Sequence, residues 1–424
     1  MNKWNNIFHY RLGRLGKSTI LSSAGLGIRA LIQAAYLLLI SRWLGAEGYG
    51  LFAGIVAFFS LATPLANWGS SLLLTQYIAQ DKRHSRGMWA TALVQSGIIG
   101  ILLVTLLLSV TLLFLPQKIA IWSLLLLAVS ELILLPASHA ASSQCFALER
   151  GGAAALSVSL IPFGRLSILL LAVVAPWGAT PELAVLAHFL GTVIGFAVAF
   201  GLVAWVDGLP AWKQRLAFIS ATRQGTAYAV SNVAGTSYQE VDKIIMLLLL
   251  GAATVGSYTV AFRVASIFVL PLSALIGVFL PRMMNQYNER EKSKNTYRII
   301  MLVALIYGVL AGIGILVVTP FLPWVFGVGY EDSLYYLQLF AVWPMLFGLR
   351  QVLAARLTAQ KRQRWRSWVE AMGLVLVAVL NFVLLPQFGA EAAIIALLVT
   401  EVFVTLVMSL FIYQNRYSNN IYFK

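Results

Sequence analysis

"SYQEVDKIIMLLLLGAATVGSY" (residues 237–258) is apolar enough to lie in a membrane, yet Glu240, Asp242 and Lys243 fall within four consecutive positions of it. At the middle of a membrane helix each such charge costs ~2.5–3.5 kcal/mol on insertion scales. A segment that keeps three of them either lies outside a membrane or faces something other than lipid. The rest of the chain decides between these readings.

Of 424 residues, 60% are hydrophobic and 11% are charged, with a mean hydropathy of +0.84. A soluble domain carries roughly 25% charged residues. The apolar residues come in long blocks, which reads as a polytopic membrane protein. A single cysteine, Cys145, excludes a disulfide framework and a cysteine-based metal site. The basic, amphipathic opening segment around Trp4, Ile7 and Phe8 is expected to lie along the membrane surface. No small-residue cleavage site follows the first apolar run, so the first helix is expected to be retained.

A window of about 20 residues places twelve spans, at 19–41, 50–76, 88–114, 118–141, 154–176, 184–206, 224–248, 257–280, 298–320, 333–357, 367–386 and 391–414. With the N-terminus inside, the inner segments hold 22 Lys and Arg, while the outer loops hold only Arg42 and Lys118. That bias puts both termini in the cytoplasm. It also accounts for most of the +15 net charge as topology, leaving nothing for nucleic acid to explain.

The chain reads as two six-helix halves, 1–206 and 224–424, joined by a cytoplasmic linker at 207–223. Sliding the first half by 206 positions sets Gln33 on Gln239, Leu44-Gly45-Ala46 on Leu250-Gly251-Ala252, and Gly50 on Gly256. Two copies of equal topology are related by an axis along the membrane normal, with the substrate path between them.

Residues three, four and seven apart share a helix face. In the seventh span this gathers Asn232, Gln239, Glu240 and Lys243 into a polar stripe, with Asp242 to its side. In the first span it gathers Arg29 and Gln33, and in the second Ser60, Thr63 and Asn67. Glu131, Arg165, Arg263 and Arg350 add further charge at membrane depth. Facing lipid, eight such charges would cost about 24 kcal/mol, more than a domain's net stability. They must face one another or water, so a hydrated cavity is expected between the halves. The candidate anion-binding residues are Arg29, Arg165, Lys243, Arg263 and Arg350, the two basic types suited to phosphate. Gln33, Asn67, Asn232 and Gln239 are the candidate polar lining. Glu131, Glu240 and Asp242 are candidates for ion coupling, since burial raises a carboxylate's pKa; for Glu240, Asp242 and Lys243 a structural ion-pair knot between helices is the competing reading. Five bases against three acids favours an anionic cargo. No Walker motif, metal cluster or nucleophile elbow appears, and no cofactor is expected.

The run "VDKIIMLLLLGAATVGSYTVAFRVA" (241–265) resembles the seventh-to-eighth-helix pattern of the Wzx-type polysaccharide flippases. These belong to the multidrug/oligosaccharidyl-lipid/polysaccharide (MOP) exporter superfamily. "SRWLGAEGYGLFAGI" (41–55), "VFGVGYEDSLYYLQLF" (325–340) and "NFVLLPQFGAEAAIIALLVTE" (381–401) are similar to three further patterns of that family, in order along the chain. The resemblance implies an all-α fold of two six-helix bundles set as a V, opening alternately to either side. It implies a cargo of oligosaccharide on undecaprenyl pyrophosphate, moved to the outer leaflet of a bacterial inner membrane, with cationic residues holding the pyrophosphate. Asp242, Lys243 and Arg263 match its motif; Arg29, Arg165 and Arg350 have no motif equivalent. It further implies a monomer in the bilayer that works beside a polysaccharide polymerase and a chain-length regulator. The chain departs from the lipid II flippase branch, which carries two further helices. Two other functions stay open: a MATE-type drug antiporter, whose cavity should rest on carboxylates, and a membrane polymerase or ligase, which would need a substantial outer loop.

Overall fold

The structure, a computed structural model, describes residues 14–114, 120–236, 239–285, 290–327, 329–360 and 362–421. Among these the chain is helical with no strand. In chain order the helices are α1 (Arg14–Asn67), α2 (Ser70–Gln80), α3 (Ser85–Phe114), α4 (Ile121–Val129), α5 (Leu135–Ala147), α6 (Gly151–Val174), α7 (Pro181–Asp207) and α8 (Phe218–Thr236). They continue with α9 (Val241–Leu249), α10 (Ala252–Asn285), α11 (Arg290–Val318), α12 (Leu322–Phe326), α13 (Glu331–Leu339), α14 (Trp343–Ala359), α15 (Gln363–Phe388) and α16 (Ala390–Ile421). Among the described residues, ten helical segments are long and apolar enough to cross a membrane.

α1 is much longer than one crossing needs. At 1.5 Å per residue, the 54 residues of α1 would reach about 80 Å, against a hydrocarbon core of ~30 Å. Gly45 breaks the run with φ 69° and ψ 176°, a left-handed conformation that only glycine adopts without strain. Its repeat equivalent, Gly251, has φ 90° and separates α9 from α10. The Leu-Gly-Ala element shared by the two halves therefore encodes the same turn twice.

α1 and α10 meet just past these turns. A Cβ on Gly50 would stand 1.7 Å from the Ala252 carbonyl oxygen, and one on Gly256 would stand 2.0 Å from that of Ala46. Since 46 maps to 252 and 50 to 256, the contact is reciprocal, as a two-fold relation between the repeats requires. Small residues are what let membrane helices approach backbone to backbone. Tyr330 Oη, donating to the Ser41 carbonyl at 2.8 Å, ties the same end together.

Three expected spans are interrupted. The fourth carries a π-helical turn at Ser130–Leu134 between α4 and α5. Pro136 follows it, lacking an N–H and crowding the carbonyl four residues back, which widens the ladder there. The tenth passes through a 3₁₀ turn at Phe340–Val342 ahead of Pro344. The seventh, expected as one helix over 224–248, is two: α8 ends at Thr236 and α9 starts at Val241. α8 packs against α1, α2 and α3 of the first half as well as against α15. Trp68 Nε1 donates to the Thr222 carbonyl at 3.2 Å, and Tyr77 Oη to Gln224 Oε1 at 3.0 Å.

Candidate functional site

Two adjoining cavities lie among α1, α5, α6 and α10. The larger, about 730 Å³, is walled by Arg29, Gln33, Asn67, Arg165, Gln239 and Glu240, together with a run of hydroxyl side chains that includes Ser60, Thr63, Ser138 and Ser142. The smaller, about 310 Å³, shares Gln33 and Arg165 and adds Tyr36, His188, Thr259 and Arg263. Among the described residues, the charged groups across both walls are three arginines and one carboxylate, Glu240.

The three arginines differ in their partners. Arg165 Nη2 meets Glu131 Oε1 at 2.7 Å, while its Nε donates to Thr192 Oγ1 at 2.8 Å. The same Glu131 oxygen lies 2.9 Å from His188 Nε2, and His188 Nδ1 lies 2.8 Å from Tyr36 Oη. Ser60 Oγ donates to the other Glu131 oxygen at 3.3 Å. Because an ionised carboxylate only accepts, His188 donates through Nε2, and as a neutral ring its Nδ1 accepts from Tyr36. Glu131 lies on the π turn, only 2% exposed, as the counter-ion beneath Arg165. Arg263 Nη2 lies 3.3 Å from Glu240 Oε1. Among the described residues no carboxylate pairs with Arg29.

Lys243 is placed differently from its expected position on the cavity wall. It is fully buried, with its ammonium 3.2 Å from Glu240 Oε2, 3.3 Å from Asp242 Oδ1 and 4.2 Å from the centre of the Phe262 ring. It also donates to the carbonyl of Gln239, in the break between α8 and α9. A break at membrane depth frees backbone groups that lipid cannot satisfy, and Lys243 satisfies one of them. Asp242 Oδ1 accepts from the Lys243 N–H at 2.8 Å in the first turn of α9, and Tyr258 donates to the other oxygen of Asp242. An acid is favoured at that end of a helix and a base is not, so Lys243 depends on its two carboxylate neighbours. The three charges of residues 237–258 thus hold a broken helix together, and only Glu240 reaches the cavity.

Arg350 also lies away from both cavities. It is 3% exposed, with Nε 2.6 Å from Glu401 Oε2 and Nη1 4.0 Å from Glu370 Oε1. Trp343 Nε1 donates to Glu401 at 3.2 Å, and Arg366 reaches Glu370 at 2.9 Å. Glu370 and Glu401 were missing from the charge count read along the sequence. The i, i+4 spacing of Arg366 and Glu370, and a lone Glu401 inside an apolar window, are the signals that mark them. The excess of five bases over three acids therefore does not describe the membrane-depth charges; the sign of the cavity comes from the residues on its walls.

Of the polar candidates, Gln33, Asn67 and Gln239 lie on the larger cavity. Asn67 also accepts from the Ser71 N–H at 3.3 Å, bridging the turn at Trp68 and Gly69 between α1 and α2. Asn232 lies in α8, and its side chain is outside the described residues.

The fold is that of known transporters. An inward-facing multidrug-resistance MATE family transporter of the MOP superfamily superposes with a TM-score of 0.73 at 15% identity, over 93% of this chain and 97% of that one. An outward-facing structure of a MATE family transporter gives 0.66 at 15% identity, over 93% and 94%. A MOP superfamily transporter from Pyrococcus furiosus Vc1, described for the reverse polarity of its binding pocket, gives 0.65 at 15% identity, over 94% of each chain. No curated protein matches the chain. The family described as polysaccharide biosynthesis protein matches residues 15–286, well over half the length. The chain belongs to that family, the Wzx-like flippases that its motifs resemble.

Proposed function

We propose that this transporter is a flippase that carries a polyprenyl-pyrophosphate-linked oligosaccharide from the cytoplasmic to the outer leaflet of a bacterial inner membrane, for surface polysaccharide assembly. The observation that carries the reading is the sign of the cavity: three arginines against one carboxylate, with Arg29 lacking a carboxylate partner among the described residues. A pyrophosphate supplies the missing negative charge, and Arg presents it with a fork of donors. The hydroxyl and amide groups from Gln33 to Ser142 offer donors and acceptors for sugar hydroxyls. An exporter of organic cations would need the opposite charge.

The ten segments give twelve crossings if α1 turns back at Gly45 and α8 with α9 forms one interrupted pass. With the basic residues inside, both termini are then cytoplasmic, and the halves 1–206 and 224–424 flank the cavity. The touching turns at Gly50 and Gly256 then lie at the outer end, so the protein is closed outward and loads from inside. Higher similarity to the inward-facing neighbour supports this reading. For ion coupling, Glu131 and Glu240 touch cavity arginines, whereas Asp242 is enclosed with Lys243 and Tyr258.

Proteoliposomes test the substrate. A fluorescent polyprenyl-pyrophosphate oligosaccharide should cross in vesicles holding the protein and stay put in empty ones. Efflux of a cationic dye without lipid translocation would assign the cavity to a drug antiporter.

A further inference from the structure

We infer that Glu240 is a built-in counter-anion, which occupies Arg263 while the cavity is empty and gives it up to the incoming anion. The inference rests on the anion-carrying reading above and names how the site is filled. The two cations flanking Glu240 differ in what they can do. Lys243 is fully buried and fixed by Gln239, Asp242 and the Phe262 ring, so it cannot follow a ligand. The Arg263 side chain is 45% exposed, on the wall of the smaller cavity, and holds Glu240 through one contact at 3.3 Å. Among the described residues its guanidinium makes no other hydrogen bond, which leaves donors for a second anion. Glu240 Oε1 faces Arg263, while Oε2 lies 3.2 Å from the Lys243 ammonium and makes no aligned hydrogen bond. If a phosphate takes Arg263, the carboxylate keeps a cation at its back. It loses one partner and is never left alone in a low-dielectric site, where an unpaired charge costs several kcal/mol.

The exchange meets a requirement of alternating access. A cavity of unpaired arginines would resist closing when empty, because closure takes those charges out of water. A loaded cavity is neutralised by its cargo. An empty one needs a resident carboxylate for the return step, and among the described residues Glu240 is the only acid on either wall. Glu240 stands in the break between α8 and α9, so releasing Arg263 removes one tie between that break and α10, while Tyr258 and Phe262 of α10 stay against Asp242 and Lys243.

The test is titration of the detergent-purified full chain with inorganic pyrophosphate, comparing wild type, Glu240→Gln and Glu240→Asp. Removing a resident competitor should tighten binding by Glu240→Gln about two- to fivefold, the scale of a partly exposed ion pair. Glu240→Asp, drawn back from Arg263 by one methylene, should shift the same way by less, and it stands alone if the glutamine variant does not fold. The gain should vanish when Arg263→Gln is added. Unchanged or weaker binding by both variants, with wild type binding normally, would overturn the counter-anion and leave the flippase reading intact. Failure of every form to bind pyrophosphate would overturn that reading as well.

Discussion

A leucine at Gly50 is expected to abolish transport while leaving the protein folded. The Cβ alone would stand 1.7 Å from the Ala252 carbonyl oxygen, and that oxygen belongs to backbone that no side-chain rotation can move. Packed interiors do not absorb such an overlap, so the two halves must part where the repeats touch. If that contact is the outer closure, Gly50→Leu holds the outer side open and stops the cycle there. Val255, fully buried beneath the contact, reports the state. A cysteine at Val255 should resist a membrane-impermeant thiol reagent in the otherwise wild-type protein and react from outside when Gly50→Leu is added, with Cys145 replaced by serine to remove background. Gly256→Leu should behave the same way, because its contact with Ala46 is the mirror of the first. Wild-type transport by either variant would remove the closure from this contact.

Lys243→Ala is expected to act on folding before it acts on cargo. Its ammonium compensates Asp242 and Glu240 and satisfies the Gln239 carbonyl at the helix break. Removing one partner from a buried ion cluster costs about 3–5 kcal/mol, because the remaining charges stay buried. Thermal unfolding in detergent should therefore fall sharply for Lys243→Ala, and Asp242→Asn added to it should recover part of the loss. An unfolding temperature equal to wild type, with anion binding lost, would instead return Lys243 to the substrate site.

How far the sequence could be read shows in these two regions. The Leu-Gly-Ala turns at residues 44–46 and 250–252 were legible, because a left-handed turn demands glycine and the repeat presents the demand twice. So was the membrane class, which depends only on hydropathy and is matched by ten long apolar helical segments among the described residues. The break between α8 and α9 was not, because neither Gln239 nor Glu240 is a helix breaker and the one glycine beside it, Gly235, is of a kind that membrane helices commonly carry without breaking. What marks it is Lys243, whose role is visible only once its ammonium is seen folded back onto the Gln239 carbonyl. Arg350 reads as a cavity base for the same reason: its partner Glu401 is 51 residues away, and helical periodicity says nothing about which faces meet across a bundle. Arg29 and Arg165 were found by depth alone, and depth could not reveal that Glu131 compensates one of them while the other lacks such a partner among the described residues.

The central claim is that a cationic cavity carries a pyrophosphate-linked cargo, and Arg29 is its most exacting test. The measurement is the initial rate of translocation of a fluorescent polyprenyl-pyrophosphate oligosaccharide in proteoliposomes, with wild type, Arg29→Lys and Arg29→Glu at equal protein. Wild type should translocate, lysine should retain part of the rate by keeping the charge without the fork, and glutamate should fall to the level of empty vesicles. A folded Arg29→Glu protein that moves the lipid at the wild-type rate would contradict the claim.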